Sequence, residues 1–290
     1  LTPLPATICY KHLAAINSGA WLGPPNFRIE DVMKTSAFAK VVRDMGRTME
    51  KPRSLGRTAV MDAGLPVEIQ ESWLIMAAPY IDEAKIMTGT ATIYDIDYLR
   101  RKLELYNQYQ VRPFMGGLLL ERVFFDAGFD GAKHYFDEAR SLGIGAIEVS
   151  STSIDISMAE RVKLTRLARE RELQVHGEIG SNSGTGEVDE LIEEATAYVD
   201  AGADVVIVEG AEMYQNRQPN HQLCEQLSST INPENLYFEL TGPWVAGTYS
   251  WEARALRSFL FEYFGPNVNV ANILLEDIIE TETYRWNLGE

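Results

Sequence analysis

Ala146-Ile147-Glu148-Val149-Ser150 decides the fold, because its pattern returns in Val175-His176-Gly177-Glu178, Val206-Ile207-Val208-Glu209 and Tyr237-Phe238-Glu239. Each is a short apolar run closed by a glutamate, and successive glutamates are 30, 31 and 30 residues apart. A helix-like stretch fills each gap, which is the period of a βα unit. A carboxylate that ends an apolar strand needs a compensating partner. Parallel strands that end together gather such groups at one mouth, where barrel enzymes carry their chemistry.

Working outward, the same reading gives eight strand–helix units. The strands fall at 58–62, 83–88, 111–117, 146–150, 173–178, 204–209, 236–240 and 268–272. The helices fall near 66–78, 96–109, 132–141, 158–171, 188–200, 221–229, 251–264 and 274–287. Leu142-Gly143-Ile144-Gly145 and Ala201-Gly202-Ala203-Asp204 supply helix-ending turns before two of the strands. Eight units within about 235 residues match an α/β (β/α)8 TIM barrel. The rival, an open doubly wound sheet, calls for less even spacing and a glycine-rich first turn, which Asp62-Ala63-Gly64-Leu65 is not. Residues 55–290 are therefore read as the barrel and residues 1–54 as an N-terminal extension, a loop followed by a helix over Ile29–Met49.

The composition narrows the functional classes. Of 290 residues, 26 are Lys or Arg and 42 are Asp or Glu, a net charge of −16 with no basic stripe, so nucleic acid is not an expected partner. No apolar run has the length of a membrane span, and no secretory leader is read. Cys9 and Cys224 form no redox or metal motif, which favours a reduced, cytoplasmic protein.

The strand ends offer Asp62, Lys85, Gly116 with Gly117, Glu148 with Ser150, His176 with Glu178, Glu209, Glu239 and Asn272; Glu121 follows the third strand closely. Side chains alternate along a strand, so His176 shares a face with Glu178, one layer lower. Several carboxylates in one mouth need a cation, shared protons or basic neighbours. Oxygen-only ligands suit a hard ion such as Mg²⁺. The alternative for each glutamate is scaffolding, bonded to backbone amides or to Lys85. The lysine stands among apolar neighbours and is either a base, an acid or a carboxylate partner. The stretch Trp244 to Trp251 reads as a lid or an oligomer contact.

Several segments occur together and in order: Val60-Met61-Asp62-Ala63-Gly64, Lys85-Ile86 with Thr88-Gly89-Thr90, Gly116-Gly117 with Glu121, and Glu148-Val149-Ser150. They continue through Glu178-Ile179-Gly180, Val208-Glu209-Gly210, Phe264-Gly265-Pro266-Asn267 and Ala271-Asn272-Ile273. With them the chain resembles the phosphosulfolactate synthase family and its plant heat-stress-associated relatives, over roughly Lys51 to Leu288. The resemblance implies a TIM barrel, commonly a homo-oligomer, whose enzymes add sulfite to phosphoenolpyruvate with Mg²⁺. It also implies a lysine proton donor and basic residues holding phosphate and sulfite.

The chain departs from that pattern at the basic positions. Ala63 stands where the family has a lysine, Ser181 and Asn182 follow the fifth strand in place of lysines, and Ala211 replaces an arginine. Each loss removes a charge-assisted bond of about 1.5–3 kcal/mol. The expected function is therefore a divergent lyase or synthase that acts on a small enolisable carboxylate by metal-assisted enolate chemistry, with the substrate altered. The alternatives are a genuine phosphosulfolactate synthase and a non-catalytic barrel with a binding or protective role. The expected catalytic residues are Lys85, Glu148, Glu178 and His176. Gly116, Gly117, Ser150, Ser181 and Asn272 are expected to bind substrate, and Asp62, Glu209 and Glu239 to hold Mg²⁺.

Overall fold

A computed structural model describes residues 37–38, 46–215, 218–242, 244–245 and 248–289. Most of the expected helix over Ile29–Met49, and with it most of the 1–54 extension, lies outside the described residues. The strands are β1 Thr58–Asp62, β2 Glu83–Ile86, β3 Arg112–Met115, β4 Ala146–Val149, β5 Gln174–Ile179, β6 Val205–Val208, β7 Leu236–Glu239 and β8 Val270–Ile273. All pair in parallel with their sequence neighbours, and β8 closes on β1. The fold is a (β/α)8 TIM barrel.

The barrel helices are α1 Val67–Ala77, α2 Ile96–Gln108, α3 Gly117–Ser141, α4 Met158–Arg169, α5 Val188–Ala201, α6 His221–Thr230, α7 Ser250–Phe264 and α8 Ile278–Arg285. Local chemistry sets their ends. Asp95 accepts from the Asp97 amide at the start of α2, Ser157 and Glu160 form a capping box on α4, and Gly202 ends α5 in the left-handed region, at φ 94°. The third unit differs from its sequence reading, because helix begins at Gly117 rather than near Ala132. Gly128 breaks it at φ 59°, and the two flanking helical pieces run on as one element. That break hides the helical period from a sequence reading. A two-stranded ribbon, Tyr214–Gln215 with Gln218–Pro219, was also not anticipated. Among the described residues no helix is long and apolar enough to cross a membrane.

Strand alternation divides the core in two. Val60, Ile86, Val149, Val175, Val208 and Ile273 face the helices, whereas Ala59, Phe114, Ala146, Val205, Ile207, Tyr237 and Ala271 fill the barrel itself. The N-terminal end is fastened by buried ion pairs, Arg53 Nε to Asp82 Oδ1 at 2.7 Å and Arg47 Nε to Glu282 Oε1 at 2.8 Å.

Candidate active site

At the C-terminal end of the strands, alternation turns Lys85, Glu148, Glu178, Glu209 and Glu239 inward. Lys85 Nζ lies 2.8 Å from Glu148 Oε2 and 2.9 Å from Glu239 Oε1. Glu148 Oε1 also accepts from the Gly117 amide at 2.9 Å, and Glu178 Oε1 from Thr152 Oγ1 at 2.7 Å. Glu209 caps the short helix Gly210–Met213 through the Ala211 amide. All five side chains are buried.

Asn272 enters the mouth through an irregularity. β8 takes three steps, from Val270 to Ile273, against two steps of β1, from Thr58 to Val60. Asn272 is the residue in the left-handed region, at φ 57°. Asparagine tolerates this conformation better than other side chains. The bulge turns it out of the strand's alternation, and its Nδ2 donates to Glu239 Oε2 at 2.6 Å.

Among the described residues one cation faces four carboxylates, and the titrations reflect it. Burial opposes the ammonium of Lys85, but Glu148, Glu239 and Glu178 hold its pKa well above the ordinary lysine value. Burial, then Glu148 and Glu239, push Glu178 well above the carboxylate range. Burial raises Glu239 to about 8 against the pull of Lys85, and burial with Glu178 raises Glu209 to about 7. Excess negative charge on buried groups has to be offset by protons or by a cation.

Carboxylate oxygens of Glu148, Glu178 and Glu239 lie within 4.8 Å of one another, a spacing that suits one ion. Asn272 Oδ1, on the side chain that bonds Glu239, is a buried acceptor with no hydrogen-bond donor. The oxygen-only donor set fits a hard divalent cation.

The trio differs from the expected metal set. Asp62 has the parity of Val60, which faces the helices, so it points away from the mouth. Its Oδ2 meets Lys102 Nζ at 2.6 Å and Tyr106 Oη at 2.7 Å, while Oδ1 accepts from the Gly64 and Leu65 amides. Glu209 lines the mouth but stands outside the trio, and Glu148 and Glu178, expected to be catalytic, belong to it.

His176 does lie a layer below Glu178, but deep in the barrel. It packs edge-on to Phe114, with ring centroids 4.6 Å apart, and Nε2 is 3.7 Å from Glu83 Oε2. It is fully buried, and burial, with Arg112, Arg57 and Lys85 nearby, drives its pKa well below the usual histidine value. It therefore stays neutral and does not touch the mouth cavity. Ser181 is likewise not a lining residue; its amide donates to Glu212 Oε1 at 3.0 Å. Gly116, Gly117, Ser150 and Asn272 do line a mouth cavity of about 80 Å³. A Cβ on Gly117 would overlap the Ser150 side chain, so this close approach requires glycine.

Thr152 was not singled out by the sequence reading, and Glu121 was noted as following the third strand but given no role. Glu121 accepts from Ser150 Oγ and from the amides of Thr152, Ser153 and Ile154, at 2.8, 2.8 and 3.0 Å for the three amides. It thereby fixes the loop that brings Thr152 to Glu178. Its place as the fifth residue of α3, shortly after Gly116-Gly117, was the available signal.

The family model for (2R)-phospho-3-sulfolactate synthase (ComA) matches residues 46–290. The phosphosulfolactate synthase of Methanocaldococcus jannaschii is 29% identical over 245 residues, covering 80% of this chain and 92% of its own length. That of Methanothermobacter thermautotrophicus is 28% identical over 244 residues, covering 82% and 91%. Among solved structures, a 3-hexulose-6-phosphate synthase superposes with a TM-score of 0.51 at 14% identity, covering 81% of this chain and 100% of its own, which speaks to the barrel alone. On the family match over residues 46–290 and the relatives, the chain belongs to the phosphosulfolactate synthase family.

Proposed function

We propose that this protein is an enzyme, a lyase-type synthase that acts with Mg²⁺ on a small enolisable carboxylate carrying less negative charge than the substrates implied by the family name. The observation that carries the reading is the charge of the mouth: among the described residues, Lys85 is the single lysine or arginine lining it. Phosphate and sulfite recognition calls for several charge-assisted donors.

Each residue has a task in this reading. Glu148, Glu178 and Glu239 hold the metal, which when bound supplies Lewis-acid polarisation of a substrate oxygen. Lys85, kept protonated by its carboxylate partners, holds developing negative charge on a carboxylate or enolate oxygen and is not the base. Glu209, raised to about 7, carries the proton, since an exchanging group works best with a pKa near the operating pH. Thr152 and the Gly117 amide fix the orientation of Glu178 and Glu148. The reading includes a cytoplasmic homo-oligomer. Cys224 is free and buried, in keeping with a reducing compartment, and light scattering tests the assembly.

The test is calorimetric titration of Mg²⁺ into the wild type, Glu148→Gln and Glu178→Gln, with and without phosphoenolpyruvate, alongside an assay of sulfite addition. Binding lost in both variants, with no sulfite addition by the wild type, is the expected result. Robust phosphosulfolactate formation would return the chain to the chemistry of its relatives. No Mg²⁺ binding under any condition would favour a non-catalytic barrel.

A further inference from the structure

A second chamber, of about 340 Å³, opens beside the mouth between the C-terminal ends of β7 and β8, the start of α7 and the segment leading into α8. Asn272 and Trp244 line both spaces, so the two adjoin. The mouth, at about 80 Å³, has room for little more than a reacting head group.

The chamber's charges are largely spent on one another. Arg257 Nη1 is 3.1 Å from Glu280 Oε2 and its Nη2 is 3.5 Å from Asp277 Oδ2, while Arg254 Nη2 is 3.2 Å from Glu280 Oε1. With Glu276 added, two arginines face three carboxylates, a balance of one negative charge. An anionic group entering here would have to displace these pairs and approach a net negative wall. A neutral or cationic group would not.

Two buried polar atoms point to a ligand. Asn272 is only 6% exposed; its Nδ2 is committed to Glu239, which leaves Oδ1 as a buried acceptor without a donor at the junction of the two spaces. Arg257 is 3% exposed, and its Nε is a buried donor without an acceptor. Native proteins rarely leave such atoms unsatisfied without a reason.

We infer that the chamber binds the distal arm of the substrate, and that this arm is uncharged or cationic and bears a hydroxyl or amine that donates to Asn272 Oδ1. The substrate is then a hydroxylated or amino-bearing carboxylic acid longer than a three-carbon acid. This inference rests on the proposed reading of the mouth as the place where the carboxylate end reacts.

Three small probes separate the two readings by saturation-transfer NMR on the full chain with Mg²⁺. Pyruvate reports on the mouth, 4-amino-1-butanol on the chamber, and inorganic phosphate, which has no carbon-bound protons, serves as a competitor for an anion site. Ala253 lines the chamber and not the mouth, and Ala253→Trp fills it. The amino alcohol should saturate the wild type, bind Ala253→Trp at least about tenfold more weakly, and ignore phosphate, while pyruvate binds both proteins equally. The inference falls if the amino alcohol does not bind, if Ala253→Trp leaves its binding unchanged, or if phosphate displaces it. Amino alcohol binding without pyruvate binding would leave the chamber standing and overturn the reading of the mouth.

Discussion

Asp62→Asn separates a structural carboxylate from a metal ligand. Lys102 and Asp62 are both fully buried as side chains and 2.6 Å apart. Burial lowers the pKa of Lys102, and Asp62 is the charge that works against that. An asparagine can keep its oxygen on the Gly64 and Leu65 amides, but its NH₂ then faces the Lys102 ammonium and the Tyr106 hydroxyl. Breaking a buried pair on one side costs about 3–5 kcal/mol, and at about 2–4 °C per kcal/mol for a domain of this size the melting temperature should fall by about 6–20 °C. Mg²⁺ affinity should not change, because Asp62 faces the helices. Asp62→Asn/Lys102→Met should recover much of the loss, since no charge is then stranded. Thermal and urea unfolding measure stability, and calorimetry measures the ion. A melting temperature within about 2 °C of wild type, or an affinity loss beyond about tenfold, would refute the assignment.

Further outcomes follow from the same geometry. His176→Leu should change stability by less than about 1.5 kcal/mol, since an apolar side chain of similar volume replaces a neutral ring with no hydrogen-bond partner; a loss of activity with stability intact would restore His176 as a proton carrier. Gly117→Ala should cost about 1–3 kcal/mol in urea unfolding through overpacking against Ser150 and should weaken Mg²⁺ binding by moving Glu148; a wild-type Mg²⁺ isotherm would count against it. Glu209 and Glu239 hold protons up to about 7 and about 8, respectively, whereas the unfolded chain releases them near 4.3. Their contribution to stability is therefore full below that pH and is lost as pH rises through 7 and 8, by about 1.4 kcal/mol per pH unit per protonated group. Metal-free unfolding at pH 5, 6, 7 and 8 checks the sign, and a rising stability would contradict it. Mg²⁺ binding at neutral pH should release protons from the trio, seen as a dependence of the calorimetric heat on buffer ionisation enthalpy.

The strand glutamates were legible because two constraints coincide on them: a period that fixes the βα units, and a polar group that apolar strands reject unless they end at a mouth. What the sequence could not supply was parity. Asp62 and Glu148 look alike as carboxylates near strand ends, yet one shares its face with Val60 and the other with Ala146, and that single step sends them to opposite sides of the sheet. Asn272 shows the reverse case. Strict alternation would have turned it outward, and only the extra residue in β8 brings it to Glu239. Thr152 was hidden for a third reason: its position depends on a loop tied down by Glu121 from another βα unit, a long-range contact without any local signature.

The mouth is a site in which charge is kept out of balance by construction. Lys85 bridges Glu148 and Glu239, and Glu178 has only a hydroxyl and a distant ammonium to offset it. A purely structural cluster gains nothing from the surplus, because a buried carboxylate without a full partner weakens the fold and apolar replacements would serve better. Ion pairs elsewhere in this chain are matched more evenly: Asp62 has Lys102, Asp82 has Arg53, and Glu282 has Arg47. The uncompensated carboxylates are concentrated where four strands end together beside a cavity, and a surplus held there at a cost to stability is what a binding site for a cation requires.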